Sequence, residues 1–566
     1  MNLINTINVI LRDKKEKKYF WVIIFGIIIT TILETFSIAT IIPVFDIIIF
    51  EKIPQNNFSI LENLNLNSNI KILALCIFFF IFFFKNFFVI LFNYFFINFL
   101  SRLSTIISMR LFSLCLKQDY IFFATGKSKD FLNKITDDIA KMHSFLLSLI
   151  NVSTEIIFIT AISIFLIFIN YKIFLLTFCI FFFAILIYFN FFKKRINNWS
   201  LSNVESSIKI NHLVIEGING IKDLIIYKLE DLFCNSFNTS SHLFNSSRSK
   251  MDFLNNIQKY WLELVAIFAM TIASIYFVFN NFNINTLIPV FGVFIYALFR
   301  LLNSFNRIVV GVQNLRYNYF SFVSIAERIQ TFESSKKIFI NNQIQFQESI
   351  EFKNVSFFYD SSSHKTLNNI TLKIQKGEWV GILGNNGSGK STLLYLLSGL
   401  IKPAEGNILI DGKHDLFKNR VEWYEKLSYV QQNIFLFNST IKYNICLDEE
   451  DKIDSYKFDK ISHDLQLNLF FNELPNKLNT QVGMNGLNLS GGQKQMISLG
   501  RALYKNSEII ILDEPSSALD ILNAALIKKI ILSLKHKKTI FMVTHDKNLF
   551  NDCFDKIINI KSGKVI

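Results

Sequence analysis

Long apolar stretches alternate with polar segments through the first part of the chain, up to about residue 330. A helix needs about 20 consecutive apolar residues to cross the hydrocarbon core of a bilayer. Six stretches reach that length: 19–45, 72–100, 150–169, 172–192, 258–279 and 284–311. Only a few residues around Asn170, Tyr171 and Lys172 join the third stretch to the fourth. The pattern predicts six membrane-spanning helices, of which the third and fourth form a tight hairpin.

The pattern changes near residue 330, after which charged and polar residues reach the frequency of a soluble protein. A chain of 566 residues is also too long for one hydrophobic core. We therefore predict a transmembrane domain over 1–330, with long cytoplasmic helical extensions, and a linker over 331–349. A second domain is predicted over 350–566.

Basic residues are concentrated in two polar segments, 101–149 and 193–257. Because cytoplasmic segments of membrane proteins are enriched in Lys and Arg, both segments and both chain termini are expected in the cytoplasm. The same rule accounts for the formal net charge of +14, so no nucleic acid partner is expected. The six cysteines are scattered and form no CxxC pair, which predicts neither a disulfide framework nor a zinc site.

Among the ionisable residues inside the apolar stretches, Glu34 lies in the first, Lys85 in the second, and Arg300 and Arg307 in the sixth. Such residues are costly in a membrane and mark functional sites by default. One interpretation is structural: Lys85 and Arg307 extend toward the membrane surfaces, and Glu34 pairs with one of the cations. The other is functional. Arg300 and Arg307 lie two helical turns apart on one face, which predicts a water-filled cavity where they bind an anionic substrate group such as a phosphate.

A glycine-rich run that follows the strand-like stretch 379–383 matches the P-loop pattern. Its backbone N–H groups are expected to wrap the phosphates of a nucleotide. Lys390 would reach the β- and γ-phosphates, and the Ser391 hydroxyl would bind Mg²⁺. The predicted phosphate cradle comprises Gly384, Asn385, Asn386, Gly387, Ser388, Gly389, Lys390, Ser391 and Thr392.

Two acidic residues end a second strand-like stretch, 509–512. Asp513 suits the coordination shell of Mg²⁺, and Glu514 suits a base that polarises an attacking water molecule. The P-loop and this acidic pair, in this order and each after a strand-like stretch, predict a nucleoside triphosphatase.

The run Leu489–Gln493, which reads LSGGQ, resembles the signature of ATP-binding-cassette proteins and lies a little upstream of the two acids, as in that family. The resemblance implies an α/β P-loop ATPase domain with further nucleotide contacts. Tyr359 resembles the aromatic residue that stacks on adenine, and Gln432 resembles the glutamine that senses Mg²⁺ and the membrane domain. His545 resembles the switch histidine of the γ-phosphate, and the run 517–520 is similar to the loop that crosses the dimer interface.

The same resemblance implies how the ATPase works. Each ATP lies between the P-loop of one subunit and the signature of the other, so a homodimer with ATP and Mg²⁺ as cofactors is expected. The signature residues are Ser490, Gly491, Gly492 and Gln493. The expected catalytic residues are Lys390, Glu514 and His545, and the expected metal-binding residues are Ser391, Gln432 and Asp513.

A six-helix membrane domain followed by a cassette resembles the exporter architecture of this family, and Tyr120–Gly126 is similar to the inner loop that exporters dock on the cassette. Three further stretches resemble the flippases of lipid-linked oligosaccharides: 34–39 with Pro43, 297–308, and 433–439. The resemblance implies a flippase of the bacterial inner membrane that moves a polyprenyl-pyrophosphate-linked oligosaccharide. It also implies that Lys85, Arg300 and Arg307 bind the pyrophosphate of that lipid. Half-transporters that export a peptide, a drug or another lipid such as lipid A share the architecture, so that alternative stays open.

Overall fold

The chain forms two compact units. The computed structural model describes residues 3–49, 68–124, 129–279, 284–334, 344–359, 365–483, 486–516, 521–544 and 553–566. The first unit, called the membrane unit, contains Met1–Gln118 and Gly126–Ser335, and the second, called the α/β unit, contains Asp119–Thr125 and Lys336–Ile566. The short segment Asp119–Thr125 therefore belongs to the α/β unit, although membrane helices flank it in the sequence.

The described part of the membrane unit is helical. Its helices are α1 (Leu3–Ile10), α2 (Lys14–Ala39), α3 (Ile41–Ile49), α4 (Ser68–Leu116), α6 (Lys129–Asn219), α7 (Ile221–Tyr227), α8 (Glu230–Phe279) and α9 (Ile284–Ser334), while α5 (Tyr120–Ala124) lies in the α/β unit. Five described stretches are long and apolar enough to cross a membrane: Lys14–Ala39, Lys71–Leu116, Asp137–Ile169, Thr177–Asn219 and Ile295–Ser334. The remaining predicted span, 258–279, forms the end of α8.

The first predicted span is divided into two helices, because α2 ends at Ala39 and α3 begins at Ile41. Pro43 explains the division: it has no N–H to donate, and its ring would clash with the carbonyl of residue 39 in a continuous helix. Thr40 lies at the junction, where its N–H donates to the carbonyl oxygen of Phe36 at 3.2 Å. The sequence predicted one span here, and the proline bends it.

Helix α6 contains both the third and the fourth predicted spans, and its contacts with α9 show that the chain reverses within it. The second half of α6 meets α9 in ascending order: Phe181 with Phe305, Tyr188 with Gln313, and Ser200 with Tyr317. The first half meets α9 in descending order: Glu155 with Arg307, and Phe145 with Phe322. The two halves therefore run antiparallel, as the short connection near Asn170 predicted.

Glu333, near the end of α9, ties together three helices of the membrane unit. Its carboxylate accepts from Arg12, which follows α1, at 2.7 Å, and from Arg110 of α4 at 2.8 Å. Arg110 also donates to the carbonyl oxygen of Val9 in α1 at 2.9 Å. These ion pairs cover one end of an apolar cluster in which the rings of Phe145 and Phe322 stack.

The α/β unit contains two sheets. Its strands are β1 (Ser349–Phe357), β2 (Leu367–Gln375), β3 (Trp379–Gly384), β4 (Glu405–Ile410), β5 (His414–Asp415), β6 (Leu427–Val430), β7 (Ile509–Asp513), β8 (Thr539–Val543), β9 (Lys556–Lys561) and β10 (Lys564–Val565). One sheet is antiparallel, in the order β2-β1-β4-β5, and the other has the order β10-β9-β3-β8-β7-β6. In the second sheet β9, β3, β8, β7 and β6 are parallel.

The parallel sheet is buried on both faces, which explains the uninterrupted apolar sequence of β7 and β8. Successive side chains of a strand point to opposite faces, so Ile509 and Ile511 join the cluster shared with the antiparallel sheet, whereas Ile510 and Leu512 join a second cluster. The helices of this unit are α10 (Lys390–Leu397), α11 (Arg420–Lys426), α12 (Ile441–Cys446), α13 (Ser455–Asp464), α14 (Leu467–Phe471), α15 (Gly491–Lys505) and α16 (Ile521–Leu532). The predicted combination of a helical membrane domain and an α/β domain is confirmed.

Candidate functional site

The nucleotide motifs meet at one edge of the parallel sheet. The register pairs Val543 of β8 with Ile382 of β3 on one side and with Asp513 of β7 on the other. The carboxyl ends of these strands therefore lie side by side. The P-loop follows β3, Asp513 ends β7, and Gln432 comes two residues after the neighbouring strand β6.

The backbone of the P-loop requires glycine at its two ends. Gly384 has φ +155°, and a Cβ there would lie 2.3 Å from the carbonyl oxygen of Ile560. Gly389, with φ +107°, caps the first turn of α10. Between them the loop curls around the ammonium of Lys390, whose Nζ donates to the carbonyl oxygens of Gly384 at 2.9 Å and Asn385 at 3.2 Å.

The P-loop residues fit a triphosphate. The free N–H groups at the start of α10 attract anions, and Lys390 adds a positive charge beside them. Ser388 is buried, and among the described residues its Oγ has no hydrogen-bond partner. Such an orphaned buried hydroxyl is a ready donor for a phosphate oxygen. Three residues of the loop are exposed at its tip: Asn385, Asn386 and Gly387.

Asp513 is buried at the end of β7 and is oriented by a tyrosine. The hydroxyl of Tyr429, in β6, donates to Oδ2 of Asp513 at 3.2 Å. Burial raises the pKa of Asp513, and the charge of Glu514 adds to the rise, while Tyr429 and Lys390 oppose it. Burial beside Asp513 likewise raises the pKa of Tyr429, so this phenol stays protonated and keeps donating.

Glu514 turns away from Asp513 because the backbone takes a left-handed conformation at this residue, with φ +52°. Its N–H donates to the carbonyl oxygen of Val543 at 2.9 Å, which continues the pairing with β8. Its carboxylate accepts from Nε2 of Gln432 at 2.6 Å. The structure thus brings together the predicted base and the predicted sensing glutamine.

Tyr359 and Thr392 are also brought together. Their hydroxyl oxygens lie 3.4 Å apart, which places Tyr359 beside the first turn of α10. The ring of Tyr359 meets that of Phe357 edge to face at 5.0 Å. An aromatic ring in this position can cover a base whose phosphates lie in the P-loop, and Ser391, exposed on the same turn, can reach a metal bound to those phosphates.

The signature forms the start of α15. Ser490 caps this helix: its hydroxyl accepts from the N–H of Gln493 at 3.3 Å, and its own N–H donates to the Gln493 side chain at 2.9 Å. Nε2 of Gln493 donates to the carbonyl oxygen of Phe470 at 3.0 Å. The cap leaves the N–H groups of Gly491 and Gly492 at the helix N-terminus, where an anion is stabilised.

Two predicted elements lie outside the described residues. They are His545, which follows β8 after Thr544, and the run 517–520, which follows β7 and the acidic pair.

The segment Asp119–Thr125 packs within the α/β unit, where the resemblance of Tyr120–Gly126 to a docking loop predicted contacts; of the residues in those contacts, the sequence singled out only Tyr120. Asp119 forms an ion pair with Arg420 of α11 at 2.6 Å, and the Arg420 side chain is only 8% exposed. Tyr120 packs on Tyr395 of α10 with ring centroids 5.3 Å apart. No local sequence signal marks Tyr395, because the contact joins distant parts of the chain.

Four ionisable residues inside the predicted spans, Glu34, Glu155, Arg300 and Arg307, form two ion pairs. Arg300 binds the carboxylate of Glu34 through Nη2, at 2.7 and 2.5 Å, and its guanidinium stacks on the ring of Phe158 at 4.4 Å. Arg307 pairs with Glu155 at 2.9 Å. The pairing of Glu34 that the structural interpretation predicted is therefore present, and it supplies the desolvated charges with partners.

These ion pairs also line a cavity of about 320 Å³ inside the membrane unit. The cavity is lined by Glu34, Glu155, Arg300 and Arg307, by polar side chains of α2, α4 and α6, and by apolar ones. The Arg307 side chain is 55% exposed, whereas that of Glu155 is 5% exposed. Lys85 lies over the ring of Phe82 at 5.1 Å, within electrostatic range of Glu34 and Arg300 but not in the cavity wall.

Two family models match the chain. Residues 18–302 match the ABC transporter transmembrane region, and residues 367–517 match the ABC transporter ATPase model. The fold resembles a solved structure of a bacterial Atm1-family ABC exporter with ATP bound, with a TM-score of 0.78 and 20% identity, over 98% of this chain and 95% of that one.

Curated relatives named ATP-dependent lipid A-core flippase are similar along most of the chain. The protein of Yersinia pestis bv. Antiqua (strain Antiqua) is 27% identical over 470 residues, 81% of this chain and 79% of that protein. The one of Photorhabdus laumondii is 28% identical over 467 residues, 81% and 78% of the two chains. Two family matches in the expected order, together with an intact P-loop, signature and acidic pair, show that the chain belongs to the ABC transporter family, as an ATP-hydrolysing membrane transporter with the exporter fold.

Proposed function

We propose that this transporter is a lipid flippase whose substrate carries phosphate groups, of the lipid A type. The observation that supports this proposal most directly is that Arg300 and Arg307 both line one cavity of the membrane unit, together with polar side chains. Similarity to proteins named lipid A-core flippases supports this lipid class. A purely apolar cavity would instead suit an uncharged drug.

The charges of the cavity favour an anionic substrate. Lys85, Arg300 and Arg307 bring three positive charges to this region, and Glu34 and Glu155 bring two negative ones. A phosphate can displace a carboxylate from a guanidinium because both accept the same planar pair of donors. Arg307 has the more exposed side chain and is the proposed first contact of the substrate phosphate. Arg300, which is held by Glu34 and Phe158, is the proposed second contact.

The polyprenyl-pyrophosphate-linked oligosaccharide is the second candidate. It presents the same phosphate chemistry to Arg300 and Arg307, and the sequence around both residues resembles that of lipid-linked oligosaccharide flippases. The relatives named lipid A-core flippases favour the first candidate over this one. The two candidate lipids differ in their hydrocarbon and sugar portions, so a comparison of how tightly each one binds distinguishes between them.

We further propose that the transporter acts as a homodimer with Mg²⁺ in the bacterial inner membrane, its termini and α/β unit in the cytoplasm. Hydrolysis of bound ATP supplies the free energy. Lys390 and the P-loop N–H groups hold the phosphates, and Asp513 and Ser391 offer oxygen ligands for the metal. Glu514, held by Gln432, accepts a proton from the attacking water. Ser490 and the start of α15 from the second subunit close the site.

Lipid binding to the purified full-length protein tests the proposed substrate. Fluorescent lipid A is expected to bind, a zwitterionic phosphatidylcholine is not, and Arg307→Gln should weaken lipid A binding about tenfold because one charge-assisted contact is lost. Arg195→Gln is the matched control, since Arg195 stacks on Phe191 at 4.9 Å and does not line the cavity. Preferential binding of the polyprenyl-pyrophosphate lipid would select the second candidate. Equal binding of the zwitterionic lipid would reject both.

A further inference from the structure

An aromatic path crosses the α/β unit from the segment Asp119–Thr125 to the carboxylate of Asp513. The ring of Tyr120 lies 5.3 Å from that of Tyr395, and the two phenols lie within electrostatic range of each other. The ring of Tyr395 lies 6.4 Å from that of Tyr429. The path ends where the Tyr429 hydroxyl donates to Oδ2 of Asp513 at 3.2 Å.

Each step of the path belongs to a different element. Tyr120 begins α5, Tyr395 lies on α10, the helix that starts with the P-loop lysine, and Tyr429 lies in β6. Both Tyr395 and Tyr429 are packed against the buried cluster of the α/β unit. Close-packed side chains transmit a displacement to their neighbours rather than absorbing it. A shift of Tyr120 is therefore felt at Asp513.

The start of the path is fixed firmly to the α/β unit. The ion pair of Asp119 with the buried side chain of Arg420 holds one end of the segment, and Ile121 packs against the same apolar cluster as Tyr395. In the sequence the segment directly follows α4 and precedes α6.

We propose that Tyr395 and Tyr429 are positioning residues, which hold Asp513 in its metal-binding orientation while the segment Asp119–Thr125 is docked. The hydrogen bond from Tyr429 occupies Oδ2 and leaves Oδ1 free for Mg²⁺ or a water molecule in its shell. Displacing Tyr120 releases this constraint and weakens metal binding. The inference rests on the ATPase site alone and does not depend on which lipid is moved.

Metal binding to the full-length protein in nanodiscs tests this inference without measuring turnover. The background is Glu514→Gln with ATP, and Mn²⁺ binding is followed by electron paramagnetic resonance. Tyr429→Phe is expected to weaken Mn²⁺ binding about fivefold, since one hydrogen bond to a carboxylate is lost. Tyr395→Phe, which keeps the ring but removes the hydroxyl between Tyr120 and Tyr429, should weaken Mn²⁺ binding about twofold. The double variant should match Tyr429→Phe alone, because both changes act through one carboxylate.

Tyr424→Phe is the control, because its hydroxyl donates to the carbonyl oxygen of Gly399 at 3.1 Å and is not part of the path. Tyr424→Phe should bind Mn²⁺ with the same affinity as the Glu514→Gln background. Unchanged Mn²⁺ binding in Tyr429→Phe, or effects that add fully in the double variant, would overturn the proposal. Tyr429→Phe could weaken Mn²⁺ binding simply by destabilising the fold, which a larger drop in unfolding temperature than that of Tyr424→Phe would reveal. In that case Tyr395→Phe is the test. If Tyr395→Phe binds Mn²⁺ as tightly as the Glu514→Gln background does, the proposal is wrong.

Discussion

Asp513 and Glu514 are adjacent in the sequence, yet the fold gives them different surroundings. Asp513 ends a fully buried strand and accepts from Tyr429. Glu514 leaves the strand through a left-handed backbone conformation and meets Gln432 at 2.6 Å. The carboxylate of Asp513 is thereby held by a phenol at the end of the strand, while that of Glu514 lies beside the Gln432 amide. The difference comes from one backbone dihedral angle and two hydrogen-bond partners.

The proposed role of Glu514 as the base predicts that Glu514→Gln loses ATP turnover but keeps nucleotide binding. The amide keeps an oxygen acceptor for Gln432 but cannot accept a proton from water, so ATP turnover should fall at least about a hundredfold. Nucleotide binding should persist, because the P-loop and Asp513 are intact. Turnover by the purified protein and retention of labelled ATP measure the two effects. Glu473→Gln, at an exposed glutamate, is the control; parental turnover in Glu514→Gln would remove Glu514 from its assigned role.

At the scale of elements, the connection of β4 to the start of β1 depends on one carboxylate. Asp411 follows β4 and accepts from the N–H groups of Gln347 at 2.9 Å, Glu348 at 2.7 Å and Ser349 at 2.9 Å. Burial alone would raise the pKa of Asp411, but the three N–H donors outweigh it and lower the pKa below its ordinary value. The aspartate therefore stabilises the approach of the chain to the antiparallel sheet.

Asp411→Asn should lower the free energy of unfolding of the α/β unit by about 1–2 kcal/mol at pH 7, because charge-assisted hydrogen bonds are lost. Asparagine also tolerates the left-handed conformation of this residue, where φ is +52°. Since the folded pKa is depressed, the stabilisation is present above the ordinary pKa of about 3.9 and disappears as pH falls through the lower folded value. Thermal unfolding between pH 7 and pH 3 measures this. A stability difference that stays constant over that range, or no difference from the exposed control Asp459→Asn, would contradict the account.

The membrane spans and the strands before the P-loop and the acidic pair could be predicted from local pattern, but the helix boundaries and the contacts could not. The hairpin within α6 followed from the short polar connection near Asn170, because two spans with no room between them must run antiparallel. The break at Thr40 needed the steric effect of Pro43, which apolar counting ignores. The pairing of Arg300 with Glu34 joins residues 266 positions apart, so no local pattern reveals it.

At the scale of the whole molecule, the order of a membrane domain and an ATPase domain was predictable because each has its own physical signature. Long apolar stretches predict spans, and the P-loop, signature and acidic pair predict the nucleotide site. The substrate was not predictable in the same way. Arg300 and Arg307 indicate an anion, but phosphate groups of lipid A and of a polyprenyl pyrophosphate present the same chemistry to a guanidinium. The aromatic path through Tyr395 also lay beyond the sequence, since packing alone creates it.

The central claim is that ATP hydrolysis at this site moves a phosphate-bearing lipid between the leaflets of a membrane. Its most direct test is the full-length protein in proteoliposomes with fluorescent lipid A, in which a membrane-impermeant quencher reports the leaflet. We predict ATP-dependent movement that vanishes with Glu514→Gln and slows with Arg307→Gln but not with Arg195→Gln. ATP hydrolysis without movement of lipid A or of the polyprenyl-pyrophosphate lipid would contradict the account.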